Sequence, residues 1–187
     1  LKKQQITVRV PATTSNLGPG YDCLGVALQL YNFITLAPAN EMARDPMVRV
    51  AAERLFDRAG GEPFPFSCTI AGDVPRSRGL GSSVTVRLGV LHGLNAMLEQ
   101  PLPREEIFRL CAELEGHPDN AAPAEFGGFG VARPDRHQRF AVAPALHFVL
   151  LIPPFEVRTD EARRVLPNEI DRLRAVDSCG NACLITA

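Results

Sequence analysis

Between a short alternating segment and a long run of helical period lies Pro75-Arg76-Ser77-Arg78-Gly79-Leu80-Gly81-Ser82-Ser83. Phe66, Cys68 and Ile70 alternate before it and predict a strand ending near Asp73. Val84, Leu88, Leu91 and Leu98 follow at helical spacing. A strand that passes through two glycines into a helix constrains the chain strongly, because the backbone there can take positive φ and lie close against a ligand. The first turn of such a helix has N–H groups without intrahelical partners, and the positive end of the helix dipole favours an anion. Ser82 and Ser83 add hydroxyls that can bond phosphate or a bound Mg²⁺. The Gly-Lys-Ser/Thr ending of a Walker A loop is absent. Taken alone, the segment is either an anion cradle or a serine-capped helix after a glycine turn.

The rest of the chain mixes both periods. Ile6, Val8 and Val10 alternate as a strand, and Pro11 to Gly20 reads as a turn-rich loop. Alternation resumes at Leu24, Val26, Leu28 and Leu30 and runs to about Leu36. Asp45-Pro46 has the form of an N-cap and first-turn proline, with Met47, Ala51, Leu55 and Ala59 at helical spacing and Gly60-Gly61 as the stop. Another helix opens at Pro103, with Glu105 and Glu106 at its positive end and Ile107, Leu110, Cys111 and Leu114 as its buried stripe. Strands are expected at Gly130–Arg133, Arg139–Val142 and His147–Ile152. A helix is expected from Thr159, broken by Pro167, and another from Ala175. Strands and helices segregate, an α+β pattern.

Composition excludes several classes. Of 187 residues, 45% are apolar and 22% charged, which is globular rather than disordered or coiled-coil. Twenty basic against 21 acidic side chains leave a net charge of -1, so no nucleic-acid partner is expected. The strongest apolar run, Phe148–Ile152, stops at Pro153-Pro154, far short of a membrane span, and Leu1 to Gln5 precede an alternating segment rather than a signal-peptide core. Cys23, Cys68, Cys111, Cys179 and Cys183 form neither a disulfide framework nor a zinc spacing. Reduced, mostly buried thiols in a cytoplasmic protein are expected.

Pro75 to Ser83 resembles the phosphate-binding motif of the GHMP small-molecule kinases. Two further segments are similar to the homoserine kinase branch of that family. They are Pro11-Ala12-Thr13-Thr14-Ser15-Asn16-Leu17-Gly18-Pro19-Gly20-Tyr21-Asp22-Cys23-Leu24-Gly25, with Tyr21 where Phe is more usual, and Glu115-Gly116-His117-Pro118-Asp119-Asn120-Ala121-Ala122-Pro123-Ala124, followed by Gly127-Gly128. The resemblance implies an α+β fold: a ribosomal-protein-S5-like ATP-binding domain over residues 1–145, and an incomplete ferredoxin-like carboxy-terminal domain begun by residues 146–187. Family members are longer, which implies a fragment or omitted stretches. The implied activity is ATP- and Mg²⁺-dependent phosphorylation of L-homoserine on the route to threonine, with a homodimer left open. Another small-alcohol kinase and an inactive nucleotide-binding fragment are the alternatives.

The resemblance also implies roles for residues. Mg-ATP phosphates lie over Pro75, Arg76, Ser77, Arg78, Gly79, Leu80, Gly81, Ser82 and Ser83. The metal falls to Ser82 and a helix carboxylate, Glu113, with Glu115 as runner-up. Asn16 lies near the reacting hydroxyl and Asp22 pairs with the substrate ammonium, although the residues by themselves read as Asx turns. His117, Asp119 and Asn120 sit near homoserine and the transferred phosphoryl group, and Asp119 doubles as the N-cap of a short helix. Asn16, Asp119 and Asn120 are the catalytic candidates, with no base singled out. Thr159 and Arg163, four residues apart, meet the substrate carboxylate, which Arg grips bidentately. Arg164 reads as a solvated charge. His92, His137 and His147 have no motif around them and are assigned structural or surface roles.

Overall fold

The computed structural model describes residues 5–99, 102–156 and 159–187. Its centre is a five-stranded antiparallel sheet built on one long strand. That strand, β2 (Leu24–Pro38), pairs along one edge with β1 (Ile6–Ser15). Its other edge is shared: β3 (Phe66–Gly72) takes Asn32 to Pro38, and β4 (Phe129–Arg133) takes Leu24 to Val26. β5 (Arg136–Phe140) closes a hairpin on β4.

Helix α1 (Pro46–Ala59) begins and ends as its sequence dictates. Asp45 accepts from the N–H groups of Met47 and Val48 (2.8 and 3.2 Å), and Gly60 closes the helix at φ 63° with its N–H on Phe56 O. Helix α2 (Ser82–Met97) packs on β1 and β2 between α1 and α3 (Arg104–Glu115). Because α2 is covered on most sides, its sequence is apolar nearly all round: Val84, Leu88, Val90, Leu91 and Leu94 are all buried. Phe66, Leu55, Ile107 and Phe108 complete this core. The short α4 (Ala121–Phe126) is pinned by Glu125, whose side chain is 2% exposed. Its carboxylate takes His92 Nε2 (2.7 Å) and Arg104 Nε (2.6 Å).

Four expectations change. β1 does not stop at Val10; it continues through a register shift between Pro11 and Thr13 to Ser15, because β2 is long enough to pair with all of it. The second hairpin strand is Arg136–Phe140 rather than Arg139–Val142. His147–Ile152 is no strand: among the described residues nothing pairs with it, and an apolar run without a ladder partner gains no strand hydrogen bonds. Of the five unpaired cysteines only Cys111 is buried, while Cys179 and Cys183 are exposed. Beyond the sheet come α5 (Thr159–Arg164) and α6 (Arg172–Thr186), which Asp171 caps through Arg174 N (3.0 Å). α6 buries no residue, and Val149 and Leu151 are 88% and 92% exposed. No described helix is long and apolar enough to cross a membrane.

Candidate active site

A cavity of about 1090 Å³ gathers the ends of these elements. Ser15, Asn16 and Tyr21 enter it from the β1–β2 connection. Arg76 to Val84 and Arg87 enter from the start of α2, Glu115, His117 and Asn120 from the α3–α4 connection, and Arg163 and Leu166 from α5 and its end. Every residue expected over the phosphates except Pro75 lines this cavity.

Neither serine caps α2. Gly81 occupies the N-cap at φ 64° without a side-chain cap bond, so the first-turn N–H groups keep their capacity for an anion. The glycine is required twice over: its φ is left-handed, and a Cβ there would lie 2.1 Å from Thr13 Oγ1. β1 and the loop are tied by Thr13 N–H donating to Leu80 O (3.2 Å). Ser83 instead donates its hydroxyl to Glu115 Oε2 (2.9 Å), and Arg87 pairs with Glu115 Oε1. A hydroxyl beside a carboxylate at the foot of the anion loop is a hard-oxygen donor set that fits Mg²⁺. Glu113, expected to be the metal ligand, is turned away from the cavity and pairs with Arg58 (3.1 Å). Two residues along a helix is a rotation of about 200°, so Glu113 and Glu115 cannot share a face.

Asn16 and Asp22 both hold positive φ, 58° and 56°, a conformation Asn and Asp tolerate better than most residues. Asn16 Oδ1 accepts the Asp22 N–H (2.8 Å), which braces the whole glycine loop between them. Asn120 accepts from Thr13 Oγ1 and donates to Ser15 Oγ, each at 2.8 Å, and Asn16 Nδ2 also reaches Ser15 Oγ (3.3 Å). Both amides are thereby fixed at the cavity wall. β2 backs the α3–α4 connection so closely that a Cβ on Gly25 would lie 2.0 Å from Asp119 O.

Asp119 is not the helix cap: Asn120 sits at that position, and Asp119 Oδ1 accepts the Asn120 N–H (2.9 Å). His117 Nδ1 donates to the same oxygen. Burial pushes the Asp119 carboxyl up, but the bonds from His117 and the Asn120 N–H, with Ser15 close by, take it below its ordinary value. That bond in turn raises the His117 pKa against partial burial. Asp119 Oδ2 has no hydrogen-bond partner among the described residues although it is fully buried. Asp22, His117 and Asp119 each bring one ligand atom within 4.8 Å of the others. The Asp22 member, however, is neutralised by Arg163, whose Nη1 donates to Oδ2 (3.0 Å) and whose Nη2 donates to Oδ1. Thr159 opens α5, and its side chain lies outside the described residues. His92 bonds Glu125, and His137 stacks on Phe126 with centroids 3.8 Å apart.

Sequence reasoning did not find Thr13, Ser15, Tyr21 or Arg87. Thr13 and Ser15 fall out of phase with Ile6, Val8 and Val10, because the register shift between Pro11 and Thr13 inverts the alternation; Arg87, one helical turn after Ser83, had a visible spacing.

Residues 46–128 match the family model for the GHMP kinases N terminal domain. Homoserine kinases from Carboxydothermus hydrogenoformans and Clostridium beijerinckii are each 40% identical, over 91% and 97% of this chain. The chain belongs to the GHMP kinases. It spans 62% and 66% of the length of those two relatives. The GHMP kinase fold extends across it: the crystal structure of a homoserine kinase from Cytophaga hutchinsonii superposes with a TM-score of 0.84 at 24% identity, over all of this chain and 67% of that one. A mevalonate kinase from Methanococcus jannaschii superposes at 0.63 and 16% identity, covering 76% of this chain and 57% of that one.

Proposed function

We propose that the protein transfers the γ-phosphoryl group of ATP to the hydroxyl of L-homoserine. The observation that carries this is the bidentate pair of Asp22 and Arg163, whose arginine lines the same cavity as the anion loop Gly79–Ser83. One anionic and one cationic group side by side are what an α-amino acid zwitterion needs, Asp22 for its ammonium and Arg163 for its carboxylate. The 40% identical relatives bear the name of that activity.

The loop N–H groups, Ser82 and the arginines Arg76 and Arg78 would hold the phosphates, and Ser83 with Glu115 would hold Mg²⁺. Bound there, Mg-ATP supplies the phosphoryl group and a metal ion that neutralises charge as it develops. The chain's own contribution is alignment. Asn16, Asn120 and Ser15 form a fixed wall of amide and hydroxyl groups for the acceptor hydroxyl, and Asp22 and Arg163 anchor the other end of the substrate. A loose transition state asks little of a base, so orientation suffices. Residues 1–145 are proposed as the ATP-binding domain and 146–187 as the opening of the second. Five unpaired cysteines suit a reducing cytoplasm.

The test offers L-homoserine, mevalonate and galactose with Mg-ATP to the full chain and measures ADP release. Homoserine is expected to be turned over far faster. Equal turnover of the uncharged sugar would remove the amino-acid assignment.

A further inference from the structure

Resting on the assignment of an amino-acid substrate, we propose that Tyr21 is a positioning residue: its ring is the shelf that keeps the Arg163 guanidinium aimed at the substrate carboxylate. The Arg163 guanidinium carbon lies 5.4 Å from the centroid of the Tyr21 ring, within the range of a cation–π contact. Both residues line the cavity. The same guanidinium also grips both oxygens of Asp22.

Those two contacts respond differently to the substrate. An ammonium arriving at Asp22 competes directly with Arg163 for the carboxylate oxygens, so the substrate loosens the arginine it needs. The contact with Tyr21 does not involve Asp22 and survives that exchange. A long side chain released at one end loses rotamer freedom only if something else still holds it. The ring provides that hold, and it leaves the N–H fork free, because a cation–π contact uses the face of the guanidinium and not its edge. Binding then becomes an exchange of partners around a stationary cation.

Tyr21 has no comparable packing role. It is 44% exposed and belongs to neither of the two buried apolar clusters. The turn that carries it is held by backbone bonds, Gly20 N–H to Leu17 O (3.0 Å) and Leu24 N–H to Gly20 O (2.9 Å), and by Asn16. Replacing the ring therefore leaves the turn in place.

The experiment titrates the full chain and its Tyr21→Phe and Tyr21→Leu variants calorimetrically with two ligands. These are L-homoserine and 3-aminopropan-1-ol, which keeps the ammonium and the hydroxyl but lacks the carboxylate. Tyr21→Phe should bind homoserine within twofold of the parent, because the ring face remains. Tyr21→Leu should bind it about two- to fivefold more weakly, the range of an exposed cation–π contact. Both variants should bind 3-aminopropan-1-ol and ATP as the parent does. Unchanged homoserine affinity in Tyr21→Leu would overturn the inference, and so would an equal loss for both amines, since a general disturbance of the pocket does not depend on the carboxylate. A parent that binds ATP but neither amine removes the amino-acid assignment itself and this inference with it. A parent that binds both amines while the variants fail the pattern removes this inference alone.

Discussion

Arg163 closes on Asp22 across 141 residues of chain, spreading its guanidinium over both carboxylate oxygens. Each side chain is 36% exposed, so the pair contributes at most about 1 kcal/mol to stability. Its consequence is for binding: the two ends of a zwitterion find their counter-charges already together.

Arg163→Lys keeps the charge and loses the planar fork. A charge-assisted hydrogen bond is worth roughly 1.5–3 kcal/mol, so homoserine should bind about 10- to 100-fold more weakly while ATP affinity stays constant. Calorimetry with each ligand in turn measures both. An arginine serving only as a surface charge would leave homoserine affinity untouched.

Gly81→Ala should abolish ATP binding. Its Cβ would sit 2.1 Å from Thr13 Oγ1 at φ 64°, so the loop must move off β1 or leave its left-handed conformation, and either change redirects the first-turn N–H groups. Far-ultraviolet circular dichroism should be unchanged, because α2 begins only at the next residue. Normal ATP affinity would show that the loop is a turn and nothing more.

Local periodicity made much of the fold readable. Asp45, Pro46 and Gly60 mark the ends of α1 because capping chemistry is written in adjacent residues. The motif residues of the site were readable as well. What escaped depended on contacts distant in sequence. Whether β1 ends at Val10 or Ser15 is decided by the length of β2, and whether Glu113 or Glu115 faces the cavity is decided by how α3 docks on α2. His147–Ile152 has the composition of a strand, and composition cannot say whether a partner lies alongside.

The two glutamates of α3 separate the metal role cleanly. Glu115→Gln weakens the donor set beside Ser83, so the Mg²⁺ concentration for half-maximal turnover should rise at least tenfold. Glu113→Gln, whose polar partner among the described residues is Arg58, should leave it unchanged. Steady-state assays across a Mg²⁺ series distinguish them; a reversed pattern would return the metal to Glu113.

His117 and Asp119 define a pH window. The folded His117 pKa is raised above 6.5, so its contribution is complete below 6.5 and is lost as pH climbs through the higher folded value. The folded Asp119 pKa is lowered below 3.8, so its contribution is complete above 3.8 and fails as pH drops through the lower folded value. The pair is therefore at full strength between these limits. Following the His117 ring proton by NMR, the midpoint should lie above 6.5 in the parent. It should fall below 6.5 in Asp119→Asn, where burial remains and the partner charge is gone.

The Glu125 cluster makes a prediction about which partner is dispensable. Glu125 is 2% exposed, while Arg104 and His92 are 61% and 31% exposed. Removing the carboxylate, as in Glu125→Gln, leaves Arg104 and His92, which water can reach, and an amide that still accepts a hydrogen bond; the loss should be about 1 kcal/mol. Removing both partners, as in Arg104→Ala with His92→Ala, strands a buried charge, which costs about 3–5 kcal/mol. Burial would then push the Glu125 carboxyl up, so the double variant should gain stability on acidification, while the parent, whose Glu125 carboxyl His92 and Arg104 hold below its ordinary value, should change little over the same range. Urea melts at pH 7.5 and pH 5.5 read both effects. Equal losses in the two variants at both pH values would mean that solvent reaches Glu125 and that α4, which carries Asn120 at its N-cap, is not held by a buried charge.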